Sequence, residues 1–510
     1  MKKKIIYLFA ISTLMFGACK KGYLDINENP NNATSAKPSL ILTGALNNTA
    51  ASTTGSSIFY SFAALWMNYW MTPGGVSGWF EERSYNFTSN YSGSTVLWAN
   101  AYDNINDYQY LETKAKASGE TFYVAIAKTM KAWDYQYLVD FYGNIPYSQA
   151  AQSVVYLTPK YDKAQDVYED LAKQLDSAAT MFKTASVSEE AKAADIFAGG
   201  NLTKWAKFAN TLKLRILLRQ SEIPGREAYI KTEIAKINAN GMGYIVADVV
   251  STLGNNQNDG GIGNNPGYIN TSGKQNPFYA VYGYQVTGER TTSHGYMLAS
   301  DYGMNFLKDN NDPRLGRFYT TINDGAGAAY VSLEWGSDVA ADQTVATVSA
   351  IGKGVLKNFD QTQYIMTDFE SLFVQAEAAQ RGYIAGDAKA LYEAAVTANF
   401  VYLGLTTAEA ATYLSEEGVA TWDTNADKIA LIIKQKWAAM NGSNDIEPWS
   451  DYRRLELPAD MPISVASTVT TRKIPVRMLY PQREYNTNSA NVAAEGTINQ
   501  FTSRIFWDVK

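Results

Sequence analysis

The chain has 510 residues, with 44 Lys and Arg against 50 Asp and Glu, a net charge of −6 and only 18% charged residues. An acidic chain is repelled by phosphate backbones, which excludes nucleic acid as a natural partner. One histidine, His294, and one cysteine, Cys19, exclude an internal disulfide, a His-dependent triad and a multi-His metal site, so the fold must hold by its core.

Lys2, Lys3 and Lys4 precede an apolar run from Ile5 to Phe16, and Gly17 and Ala18 stand before Cys19. The run is about half of the roughly 20 residues that a spanning helix needs, so residues 1–18 read as a signal peptide. Phe16 to Cys19 resembles a lipobox, which makes Cys19 the expected lipid attachment residue and a membrane surface the expected location. Buried acyl carbons contribute roughly 0.8 kcal/mol each, and stable anchoring takes more than one chain. Loss of residues 1–18 removes three lysines and no acid and shifts the net charge to −9. Residues 19–38, polar and Asn-rich around Pro30, read as a tether. The folded body is expected over 39–510 as one domain.

Residues 59–98 hold 12 aromatic residues in 40, more than twice the chain average of 13%. Phe59, Phe62, Trp66, Tyr69 and Trp70 recur at helical spacing, which favours a core role. Trp79, Phe80 and Tyr85 follow Pro73, Gly74, Gly75 and Gly78, so they fall on or beside a loop. Asn90 and its polar neighbours are interleaved with them.

Helical periodicity then predicts amphipathic segments at 95–117, 121–142, 160–183, 202–221, 226–239, 367–382, 387–403 and 425–440. Short turns at Ser118–Gly119 and Gly382–Gly386 join neighbours into hairpins of the tetratricopeptide kind. The predicted fold is mainly α: a scaffold of such hairpins with long loop-rich insertions and a few short strands. The insertions are 251–295, rich in Gly, Asn and Tyr, and 320–360, where Gly325, Gly327 and Gly336 sit among alternating apolar residues. Loops of that length inside a compact protein are usually functional.

Three loop regions, 59–98, 251–295 and 320–360, are therefore the expected ligand-binding regions. A sugar offers an apolar C–H face and a hydroxyl rim; flat rings cover the first, and Asn, Asp, Glu and Arg bond the second. The candidate ligand residues are Trp79, Phe80, Tyr85, Asn90, Tyr284 and Trp335, with Tyr268, Tyr279 and Tyr282 as further ring candidates. No phosphate loop, zinc helix or serine elbow is present. Asp423, Asn425 and Asp427 mimic half a calcium loop but lack its glycine and distal glutamate, so they read as a turn. No catalytic residue, cofactor or metal is expected.

Several stretches taken in order resemble the SusD-like and RagB-like outer-membrane lipoproteins, specifically the SusD-like 2 branch. They are YLDINENPNN (23–32), DFYGNIPYSQA (140–150), WAKFANTLKLRILLR (205–219), DPRL (312–315), FVQAEAAQRG (373–382), WSDYRR (449–454) and IPVRMLYPQREYNTNSAN (474–491). The resemblance implies a non-enzymatic lipoprotein that captures nutrient at the cell surface and delivers it, as a lid, to a SusC-like TonB-dependent barrel. Oligosaccharide is the expected ligand. An oligopeptide and, in a different class, a surface glycosidase with paired carboxylates are the rival readings.

Overall fold

The helical framework starts at α1 (Pro38–Thr53) and α2 (Leu97–Ser118), which pack on each other and on α3 (Thr121–Tyr142). Phe122, Ile126, Met130, Trp133, Tyr137 and Phe141 are all buried, and so are most of the residues between them. A helix enclosed all round is a central element, not a surface one. Gly119, at φ +75°, supplies the left-handed residue that stops α2 and lets α3 start two residues later.

The computed structural model describes residues 36–53, 62–74, 78–89, 91, 97–247, 260–323 and 325–510. The signal peptide, Cys19 and nearly all of the tether lie outside the described residues, as does Asn90. Among the described residues no helix is long and apolar enough to cross a membrane.

Beyond α3 the chain adds α4 (Ala164–Phe182), α5 (Leu202–Leu218) and α6 (Glu227–Asn240), each packed on its predecessor. α7 (Asp301–Asp309) lies between the loop-rich regions. α8 (Asp368–Gln380), α9 (Ala388–Tyr402), α10 (Thr407–Glu416), α11 (Lys428–Met440) and α12 (Ile446–Leu455) complete the scaffold. Starts are fixed by side-chain caps from Asn201, Thr367, Asp387 and Asp427, and Thr406 forms a reciprocal capping box with Glu409. Asp423 to Asp427 thus act as turn and cap: Asp423 pairs with Lys389 at 2.6 Å, and Asn425 Nδ2 donates to the Gly418 and Thr421 carbonyls.

Short strands tie the loops to this scaffold in antiparallel pairs. β1 (Trp70–Met71) pairs with β5 (Leu298–Ala299), β2 (Ile145–Pro146) with β3 (Tyr161–Asp162), and β4 (Ile262–Asn264) with β6 (Gln363–Met366). The β1–β5 pair carries the segment after Trp66 onto the segment before α7. The architecture is the expected helical scaffold with loop-rich insertions and few short strands.

Where α3, α5, α8 and α12 meet, charged side chains run through the interior. Arg215 bonds Glu370 at 2.8 Å and lies 3.4 Å from Glu447; Arg219 bonds Glu447 at 2.8 Å and Asp140 at 3.3 Å. Arg454 bonds Glu377 at 2.6 Å and Asp451 at 2.9 Å, and Lys436 bonds Asp451 at 2.8 Å. Each of these named charges has an oppositely charged partner, as low-dielectric burial demands.

Candidate functional site

Trp79 begins the short helix Phe80–Ser84 from a left-handed backbone conformation, φ 53°, and Tyr85 ends it in another, φ 56°. Two left-handed non-glycine residues six positions from one another are strained and persist only where surroundings fix them. Here the fixing comes from below. The Tyr85 hydroxyl accepts Trp335 Nε1 at 3.0 Å and the Ser464 backbone N–H at 3.0 Å, and burial pushes its pKa up to about 12. After Trp335 the chain turns at Gly336, φ +86°, where a Cβ would come within 2.0 Å of Ser464 Oγ.

The expected site residues therefore divide. Tyr85, at 0% exposure, and Trp335, at 2%, belong to the core and bond each other instead of facing solvent. Flanking glycines signalled a loop, but at its buried base the Tyr85 hydroxyl satisfies both a backbone N–H, that of Ser464, and the Trp335 indole N–H. Phe80 is 53% exposed, and Trp79 is half-buried with its ring edge-on to Tyr296 at 5.7 Å and 81°.

The partner surface comes from residues 277–296. Asn276 caps the short helix Pro277–Tyr282 by accepting from Tyr279 N. The chain then forms a hairpin closed by the Tyr284–Arg290 bridge and a short turn, Thr292–Gly295. Tyr284 lies 5.1 Å from the His294 ring and 6.1 Å from Tyr279. His294 and Tyr296 are two residues apart on that turn, so the Trp79–Tyr296 pair and the Tyr279–Tyr284–His294 group share one segment. Sequence reasoning named Tyr279 and Tyr284 but missed Tyr296, which carries no local signal and is identified only by the ring it meets.

His294 Nδ1 lies 3.1 Å from the Gly283 carbonyl, and burial, with Arg290 nearby, lowers its pKa below the usual value. It is a neutral structural ring at pH 7, with Nδ1–H donating to Gly283. Polar groups stand beside the rings. Arg83, one turn after Phe80, keeps an Nε without a hydrogen-bond partner, and Gln285, Glu289 and Arg290 are exposed on the hairpin. Glu82 is buried, accepts from Tyr91 Oη at 3.0 Å, and is pushed up to about 7 by burial. Among the described residues no three His, Cys, Asp or Glu are grouped to hold a metal ion.

A helical-hairpin scaffold whose inserted loops carry half-exposed rings and free planar polar groups defines a class of helical ligand-presenting proteins. The chain belongs to the SusD-like 2 family, described as starch-binding and associating with the outer membrane, whose model matches residues 30–481. Solved structures share the fold. A chitin-binding SusD homolog from Flavobacterium johnsoniae is 24% identical with TM-score 0.75, covering 92% of this chain and 99% of its own. A SusD-like protein from Bacteroides thetaiotaomicron is 23% identical with TM-score 0.73, covering 93% and 99%. A SusD homolog from Bacteroides fragilis is 22% identical with TM-score 0.71, covering 93% and 99%. No curated protein matches the chain significantly.

Proposed function

We propose that the protein is a non-enzymatic outer-membrane lipoprotein that binds oligosaccharide nutrient on the Trp79, Phe80, Tyr296 and Tyr284 surface. The observation that supports this best is the pairing of exposed Phe80 and half-buried Trp79 with Tyr296 on a base fixed by Tyr85 and Trp335. Ring faces cover the C–H face of a pyranose, while the exposed hairpin side chains of Gln285, Glu289 and Arg290 bond its hydroxyls. The Tyr85–Trp335 base holds the rings in place when no sugar is present, so little ordering entropy opposes binding. Lipid on Cys19 holds the chain at the membrane, and a SusC-like TonB-dependent barrel receives the ligand.

Calorimetric titration with starch-derived and chitin-derived oligosaccharides tests this reading. Trp79→Ala is expected to weaken sugar binding at least tenfold while leaving the thermal midpoint nearly unchanged. Unfolding of that variant would contradict the placement of the ring. Preferential binding of peptides would favour the oligopeptide reading, and release of reducing sugar would favour the glycosidase. Cys19→Ala is expected to release the protein from the membrane fraction, and copurification from detergent with a large β-barrel protein is expected for the anchored form.

A further inference from the structure

Between β2 and β3 the chain makes a loop whose tip is Val154, Val155, Tyr156 and Leu157. These four consecutive side chains are 81%, 67%, 41% and 81% exposed, the longest run of large exposed apolar residues among the described residues. Single exposed apolar side chains are ordinary, whereas a contiguous exposed patch marks a surface that meets something apolar.

Both stems of the loop are fastened to the body. Asp162 Oδ2 accepts from the Tyr147 and Ser148 backbone N–H groups at 3.1 and 2.8 Å, and Gln149 Oε1 accepts from Lys160 N at 3.0 Å. Gln152 Nε2 donates to the Ser148 carbonyl at 2.6 Å. From the C-terminal part of the chain, Asn491 and Asn488 donate through Nδ2 to the Thr158 and Pro159 carbonyls at 3.0 and 2.8 Å. The tip is therefore displayed by fixed stems, and side chains so exposed line no cavity for a small ligand.

The chemistry around the tip is graded. Tyr156 stands within it. Tyr485, 36% exposed, lies on the short helix Gln482–Thr487, which the loop region meets through the Tyr161 Oη bond to Glu484 Oε2 at 2.9 Å. In 147–163 and 481–491 the exposed charged side chains are Lys160, Lys163 and Arg483, and no ion pair engages them among the described residues. The two acids of these stretches, Asp162 and Glu484, are half-buried and take hydrogen bonds from Ser148 Oγ and from Tyr161 Oη and Asn488 Nδ2. In a chain of net charge −6 this exposed basic set is a local reversal of sign. Apolar side chains at a protruding tip, tyrosines next to them and unpaired cations on the stems match the succession from acyl chains through headgroups to an anionic surface.

We propose that residues 154–157 insert into an anionic lipid surface, as a second membrane contact besides the lipid expected on Cys19. Val154, Val155 and Leu157 enter the acyl boundary, the Tyr156 and Tyr485 rings sit at headgroup level, and Lys160, Lys163 and Arg483 meet lipid phosphates. The inference rests on the membrane location proposed above and adds orientation to it. Lipid on Cys19 keeps the chain near a bilayer, and a tip fixed to the fold sets which face meets that bilayer.

The test is cosedimentation of the mature chain carrying Cys19→Ala, which has no acyl anchor, with vesicles of equal parts phosphatidylglycerol and phosphatidylcholine. Binding is expected, weaker on phosphatidylcholine alone and weakened by added salt. Val154→Ser/Leu157→Ser is expected to lower vesicle affinity about tenfold, and Lys160→Gln/Lys163→Gln to lower it and to remove most of the salt dependence. All four positions are exposed, so unchanged thermal midpoints show that the variants fold. The proposal is overturned if the Cys19→Ala chain does not bind the vesicles, or if the serine pair binds them as tightly as its parent. It is also overturned if the serine pair keeps vesicle binding and loses copurification with a β-barrel protein, which would make the tip a protein contact. Retention of the chain with native Cys19 on salt-washed membranes reads the acyl anchor alone, so failure of the tip and failure of the anchor are distinguishable.

Discussion

At the level of single residues, the base of the candidate surface depends on one oxygen. The Tyr85 hydroxyl satisfies two buried donors, Trp335 Nε1 and Ser464 N. Tyr85→Phe keeps the ring but orphans both, and each unsatisfied buried group costs about 1–3 kcal/mol. The expected result is a loss of about 2–3 kcal/mol in urea unfolding, with sugar affinity falling less than in Trp79→Ala. Glu82 makes a second residue-scale case with a pH sign. Its pKa rises from an ordinary 4.5 in the unfolded chain to about 7 on folding. The folded state therefore holds the proton more tightly, and the stability this contributes is present below pH 4.5 and is lost as pH rises towards 7. Glu82→Gln keeps an acceptor for Tyr91 and removes the titration. It is expected to stabilise the fold by about 2–3 kcal/mol at about pH 8, by differential unfolding, with a much smaller gain at about pH 5.

Among elements, the helices were legible because burial on one side imposes a period that the chain must repeat. The predicted 121–142 is α3 to the residue, and 202–221, 226–239, 367–382 and 387–403 match α5, α6, α8 and α9 within a turn. α1, α7, α10 and α12 were not read from periodicity: α7 and α10 have only 9 and 10 residues over which a period can repeat, α1 lacks a strong apolar stripe, and α12 buries Glu447, Asp451, Arg453 and Arg454, which a hydrophobic pattern counts as polar. Those charges explain something else. Asp140, Arg215, Arg219, Glu377, Asp451 and Arg454 lie in the stretches that carry the family resemblance, and they are members of the interior ion network. The resemblance therefore reports the scaffold, while Trp79, Phe80, Tyr284 and Tyr296 stand outside every such stretch. That is why fold was readable and site was not: the surface is assembled from segments some 200 residues apart, and no local pattern encodes which rings meet. Glu447 tests the network. It faces both Arg215 and Arg219, so Glu447→Ala leaves two buried guanidiniums short of an anion. Breaking such a pair by removing one partner is expected to cost about 3–5 kcal/mol in denaturant unfolding, more than an alanine at any exposed ion pair.

Across the molecule, the last residues of the chain close the network that its middle builds. Trp507 is fully buried, and its Nε1 donates to Asp140 Oδ1 at 3.0 Å, the carboxylate that also takes Arg219 through its other oxygen. The same ring lies 4.7 Å from the Arg453 guanidinium and 5.6 Å from that of Arg219. The indole thus joins α3 to the end of α5 through the Asp140 carboxylate and meets α12 through the Arg453 guanidinium, which also donates to the Asp140 backbone carbonyl, and Phe506 beside it packs edge-on to Tyr168 of α4 at 5.1 Å. Removing a buried Trp ordinarily costs about 3–5 kcal/mol through lost contact and the cavity left behind. Here the cavity would also open a matched charge network to water, so Trp507→Ala is expected at the upper end of that range or above. Trp507→Phe fills most of the volume but withdraws the donor from Asp140, and should fall between the parent and the alanine variant. Urea unfolding followed both by far-ultraviolet circular dichroism and by Trp fluorescence checks this order. If the helices are coupled through Asp140, both signals shift together in each variant; a fluorescence change confined to a separate early transition would mean that the C-terminal segment docks on an independently stable scaffold.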